Sequence, residues 1–153
     1  MSEGMSEVVQ TVLRMAIAYV LALPVGWERE AMKSTPGLRT FPLVSLGSCA
    51  FMSIGLTTYD VNVDAQARVL QGLLSGIGFI GGGAILKGEH AIAGVATAVG
   101  VWITAGIGVA VAYGHYTVAI TLSLITLATL HLLHTPKDDA ARKDRRLKPD
   151  DEL

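Results

Sequence analysis

Charge is what this chain has least of. Only 16% of its 153 residues are Asp, Glu, Lys or Arg, against about 25% in the average soluble domain. The shortage is also local: between Val69 and His134 only Lys87 and Glu89 carry a full charge. A soluble helical domain needs a charged face on nearly every surface helix, and this stretch cannot supply one. A single cysteine, Cys49, excludes an intrachain disulfide and a cysteine-rich metal site. The chain has no His-Glu-x-x-His zinc motif and no Gly-rich loop followed by Lys-Ser/Thr for a phosphate. Nor does a nucleophile stand beside a base in a recognisable motif. An enzyme is therefore not expected, nor a cofactor, nor a nucleic-acid partner, and the net charge of −1 says little about partners. The N-terminus carries Glu3 and Glu7 where a cleaved signal needs a basic region, so the first apolar run is expected to be retained.

What the chain has instead is apolar length. Hydrophobic residues make up 51%, and crossing a bilayer takes roughly 20 of them in a row. Five segments reach that scale, at about 8–25, 41–59, 69–86, 92–112 and 116–133. The expected fold is all-α, a polytopic integral membrane bundle of five transmembrane helices within residues 1–134. Pro24 and Gly26 close the first span, and Thr35-Pro36-Gly37 marks a turn before Pro42 in the next helix. From 135 to 153 the chain has basic and acidic residues and almost no apolar ones, and cannot bury a core, so a disordered tail is expected there. Its Arg142, Lys143, Arg145, Arg146 and Lys148 suit either anionic lipid headgroups or a topology signal. With Arg29, Lys33, Arg39, Lys87 and the basic tail on one side, the positive-inside rule puts the N-terminus outside and the C-terminus inside.

Glycine is plentiful, 17 residues, and lies inside the apolar runs. Gly72 with Gly76 and Gly78 with Gly82 have GxxxG spacing. Small residues let membrane helices approach closely, so tight packing is one reading, and a broken, ligand-binding helix near Gly81-Gly82-Gly83 is the other. Ser45, Ser48 and Cys49 share a stripe of the second span, and Thr97 with Thr104 of the fourth. These side chains could bond a neighbouring helix or line a wet path. Arg14, inside the first span, either snorkels to headgroups or pairs. The histidines His90, His115, His131 and His134 are scattered and read as interfacial side chains, leaving any metal site unknown.

The densest polar stretch is GWERE, Gly26 to Glu30, followed by GLRT, Gly37 to Thr40. Glu28, Arg29, Glu30 and Arg39 are the chief candidates for function. On a helix Glu28 and Glu30 point apart, so one carboxylate can face inward. Either these charges mark the place where water begins, or they form a buried network with Arg39 as partner.

Three pieces carry a family resemblance: GWERE with GLRTFPLVSLGS, RVLQGLLSGIGFIGGGAILKGE, and GVATAVGVWITAGIGVAVAYG. In this order and spacing they resemble the MgtC/SapB family of bacterial inner-membrane proteins, over roughly residues 20 to 115. The resemblance implies a membrane domain of about five helices and a role in adaptation to low magnesium. In some members it implies a part in virulence and membrane-energy control. It also implies action through membrane protein partners, the F-type ATP synthase and transporters among them. Longer members carry a cytoplasmic domain after the last span, where this chain has its charged tail. Many members have an Arg and a Thr-Thr pair where this chain reads Ala93-Gly94-Val95-Ala96-Thr97. Two functions stay open: a non-enzymatic regulator, homodimeric through its small-residue faces, and a cation (Mg²⁺) transporter or channel. For the second, Glu28, Glu30, Asp60 and Asp64 would be the oxygen ligands.

Overall fold

A computed structural model describes residues 2–31, 37–87 and 92–132. Five helices follow one another: α1 Ser2–Ala31, α2 Thr40–Thr58, α3 Val63–Gly83, α4 Val95–Ala112 and α5 Tyr116–Leu132. Between α3 and α4 a small antiparallel ribbon joins β1, Leu86–Lys87, to β2, Ile92–Ala93, in the register Leu86↔Ala93 and Lys87↔Ile92. The all-helical expectation holds. By length and composition α1, α2 and α4 can cross a membrane. The apolar α5 has 17 residues, and α3 has 21 but is less apolar.

The ends of the helices are set by local chemistry. Gly37 O accepts from Thr40 N and Phe41 N at 3.0 and 3.2 Å, and Pro42 then sits in the first turn of α2, where no N–H is needed. Asn62 caps α3 by accepting from Ala65 N at 2.9 Å. This draws Asp64 and Arg68 into the helix, six residues before the apolar run begins. At the end of α4, Gly114 adopts φ 77°. Gly114 N then donates to Val111 O and His115 N to Ala110 O, at 3.0 and 2.8 Å, a Schellman closure. The end of α1 departs from the sequence expectation, and the open choice at the glycines of α3 is decided. Pro24 lies inside α1 rather than closing it, with its ring on the exposed face of the helix. The glycines 81–83 finish α3 as helix instead of breaking it.

Contacts fix the directions. Ser45 on α2 bonds Ala18 on α1, Gly55 on α2 meets Val69 on α3, and Gly81 on α3 meets Ala98 on α4. Ser123 on α5 bonds Leu21 on α1. Thus α1, α3 and α5 run one way, and α2 and α4 the other. The central helix is α4, which touches all four others. Its small residues make this possible: a Cβ on Gly108 would come within 2.9 Å of Cys49 N, and one on Gly100 within 3.0 Å of the Phe41 ring. Helices in lipid gain from such close approach, not from hiding apolar surface. Around α4 the core forms two clusters, one with Ala18, Cys49, Met52, Ile107 and Val111, the other with Val25, Phe41, Ile77, Val101 and Ala105.

Candidate functional site: the charged end of the bundle

The end of α1, the start of α2, the ribbon and the end of α5 share one end of the bundle. GWERE is the last turn of α1. Ala18, Ala22 and Val25 form its inner stripe, each fully buried, and Arg29 continues that stripe with only 6% of its surface exposed. Glu28 is beside it on the face toward α5. Its Oε1 is 3.1 Å from His131 Nδ1, with the carboxylate side chain 22% and the imidazole side chain 69% exposed. Glu30 points outward and accepts a hydrogen bond from Leu38 N at 3.2 Å.

That bond folds GLRT onto GWERE. Gly37 lies so close that a Cβ there would be 2.7 Å from Glu30 N and 2.8 Å from Glu30 Cα. Gly26 is pressed in the same way against Leu38 Cα, at 3.2 Å for an added Cβ, and against Pro42. The two motifs are thus one structural unit, a backbone-on-backbone turn at the foot of α1 and α2. Arg39 stands at the N-cap of α2 with its side chain exposed. Among the described residues no ion pair joins it to Glu28 or Glu30. The cluster is therefore split into a buried cation, Arg29, a carboxylate tied to α5, Glu28, a loop-capping carboxylate, Glu30, and an exposed cation, Arg39. Lys33, Glu89, His90, His134 and the 135–153 tail lie outside the described residues.

The inner polar stripe is brought together as well. Ser45 Oγ donates to Ala18 O at 2.8 Å, Thr104 Oγ1 to Gly100 O at 2.7 Å, and Ser123 Oγ to Leu21 O at 2.7 Å. Cys49 is a fully buried free thiol, and Ser48 and Thr97 are each 1% exposed. The Oγ of Ser48 has no hydrogen-bond partner. Arg14 Nη1 donates to Ala112 O at 3.2 Å, where the last carbonyls of α4 carry partial negative charge. By contrast Gly72, Gly76, Gly78 and Gly82 face away from the other helices, with open space where a Cβ would go. Among the described residues no three His, Cys, Asp or Glu side chains gather as a metal site. Sequence reading missed the part played by His131, and the turn contacts of Gly26 and Gly37. The alternating helix directions were the available signal, since five helices bring the end of the fifth beside the end of the first.

Comparison with known proteins places the chain in a family. The model of the MgtC family matches residues 15–138. The chain belongs to the MgtC family. It is 33% identical over 130 residues to YhiD of Escherichia coli strain K12, provisionally named a magnesium transporter, covering 80% of this chain and 60% of YhiD. It is 34% identical over 122 residues to Protein MgtC of Salmonella typhimurium strain LT2, covering 80% and 52%. With slr0014 of Synechocystis sp. strain PCC 6803 it shares 34% over 119 residues, 77% of this chain and 50% of that one. The chain thus spans about half to three fifths of the length of these curated relatives. No solved structure matches it.

Proposed function

We propose that this MgtC-family chain is a non-enzymatic regulator in the bacterial inner membrane, serving adaptation to magnesium limitation through membrane protein partners. In this reading the helices cross the bilayer five times, with the GWERE–GLRT end in the cytoplasm. Partners such as the F-type ATP synthase or transporters meet the exposed rim formed by Glu30, Arg39 and His131. The observation that carries the reading is how the interior between the two acidic ends is filled. Glu28 and Glu30 lie at one end, Asp60 and Asp64 at the other, and α2 between them rises roughly 28 Å. Apolar side chains fill that distance, and the backbones of α2 and α4 touch at Gly108. Three of the inner hydroxyls, those of Ser45, Thr104 and Ser123, are engaged with helix carbonyls.

The second reading, transport of Mg²⁺, draws on the name given to YhiD. Its ligands would have to act at separate ends, because Glu28 and Asp60 cannot share one ion across that length. Flux measurements with purified protein in liposomes test the choice. The regulator reading expects magnesium uptake equal to that of empty vesicles. Uptake above that background, abolished by Glu28→Gln, would establish transport instead.

A further inference from the structure

The outward face of α3 is unlike that of the other helices. Facing outward, α2 has Leu43, Phe51 and Ile54, α4 has Val95, Val99 and Trp102, and α5 has Val118, Leu124 and Ile125. Those side chains suit lipid. On α3 the buried side carries Ile77 and Gly81, while Phe79 and Ile80 face outward beside a stripe of Asp64, Arg68, Gln71, Ser75, Gly78 and Gly82, all exposed. This polar stripe explains why a helix long enough to cross a bilayer lacks the composition of a lone span. Gln71 lies inside the apolar run that begins at Val69, about 4.5 Å along the helix beyond Arg68. Hydrocarbon there offers its amide no partner. A shallow depression lined by Ala67, Leu70, Gln71, Leu74 and Ser75 follows the same stripe.

We infer that this stripe is the seam of a homodimer and that its occupant is α3 of a second copy. Two copies inserted in the same direction are related by a two-fold axis along the membrane normal, so their α3 helices run parallel. Gln71 then meets Gln71 of the second copy, and each amide finds a donor and an acceptor. Asp64 of each copy stands one turn from Arg68 of the other. The stripe is complementary to itself in hydrogen bonding at Gln71, which lipid tails are not. Residues 71, 75, 78 and 82 alternate in steps of four and three, the repeat that keeps two helices in contact along a left-handed crossing. At three of those four positions the residue is Ser or Gly, so the backbones can close. This seam is separate from the charged end of the bundle, so the inference stands or falls independently of the regulator reading.

Oxidative crosslinking in native membranes tests it. Ser75→Cys and Gly78→Cys occupy open positions, and native Cys49 is fully buried. Each variant should give a disulfide-linked dimer, whereas Ile54→Cys, Val99→Cys and Leu124→Cys on the other outward faces should not. Single-molecule photobleaching of the labelled chain in bilayers should show dimers. Gln71→Leu with Gly78→Ile should weaken them on the order of tenfold, because an amide pair is lost and a bulky residue splits the seam. Monomers throughout would overturn the inference. So would crosslinks favouring a control face, ladders beyond a dimer, or an unchanged equilibrium in the double variant.

Discussion

His131 and Glu28 meet at 3.1 Å although 103 positions separate them in the chain. The pair is the last tie along the parallel helices α1 and α5, one level beyond the bond from Ser123 to Leu21. Its imidazole is largely exposed, so solvent screens the interaction and the expected strength is small. A double-mutant cycle of Glu28→Gln and His131→Ala, read by unfolding in detergent, should give a coupling of about 0.2–1 kcal/mol. A coupling well above that would mean that the pair is buried in the assembled protein.

A sharper effect is expected where backbones touch. Gly108 on α4 lies under Ser45 O and Cys49 N of α2, with no room for a methyl group. Gly108→Ala should destabilise by about 1–3 kcal/mol through forced separation of the two helices. Gly47 on α2 has nothing within 4 Å of its missing Cβ. Gly47→Ala should stabilise by up to about 1 kcal/mol, because alanine restrains the unfolded chain and suits a helix interior. Thermal unfolding of both variants checks the contrast, and equal effects would contradict this packing.

How far the sequence disclosed this arrangement depends on what each signal measures. The five helices were legible because each contains an apolar run. Their ends were less so, since hydropathy reports lipid exposure rather than helix. The six residues Val63 to Arg68 are polar in pattern yet helical, because Asn62 caps them. GWERE is helical past Pro24 for a reason no local pattern encodes, the contact of Gly26 with the next segment. The charges Glu28, Arg29, Glu30 and Arg39 were legible as a cluster at one end, but their partners were not. Pairing of Arg39 with a carboxylate was one of two open readings, whereas Glu30 takes a backbone N–H and Glu28 takes His131. Spacing also could not tell inward from outward glycines. Gly81, Gly100 and Gly108 face neighbouring helices, and Gly72, Gly76, Gly78 and Gly82 do not.

The turn between α1 and α2 makes a separate prediction. Gly37 has no space for a Cβ against Glu30, so Gly37→Ala should detach GLRT from GWERE. Limited proteolysis should then cut the α1–α2 connection faster. Glu30→Gln keeps a side-chain oxygen for Leu38 N and should leave the cutting rate near that of the parent. Glu30→Ala removes the acceptor and should raise it. If Glu30→Ala and Glu30→Gln behave alike, the hydrogen bond does not hold the turn.

Two serines one turn apart on α2 offer the most direct test of how the interior is held. Both Ser45 and Ser48 are buried, so burial alone predicts the same cost for each alanine substitution. Their hydrogen bonding differs. Ser45 Oγ donates to Ala18 O across the helix interface, whereas Ser48 Oγ has no partner. Ser45→Ala should therefore cost about 0.6 kcal/mol and up to about 1.7, the range for interhelical bonds in membranes. Ser48→Ala removes an unsatisfied hydroxyl and should be neutral or stabilising. Unfolding measured in the same detergent decides between them. A Ser48→Ala loss as large as that of Ser45→Ala would show that the Ser48 hydroxyl has a partner in the membrane, as it would if it lined a hydrated path through the bundle.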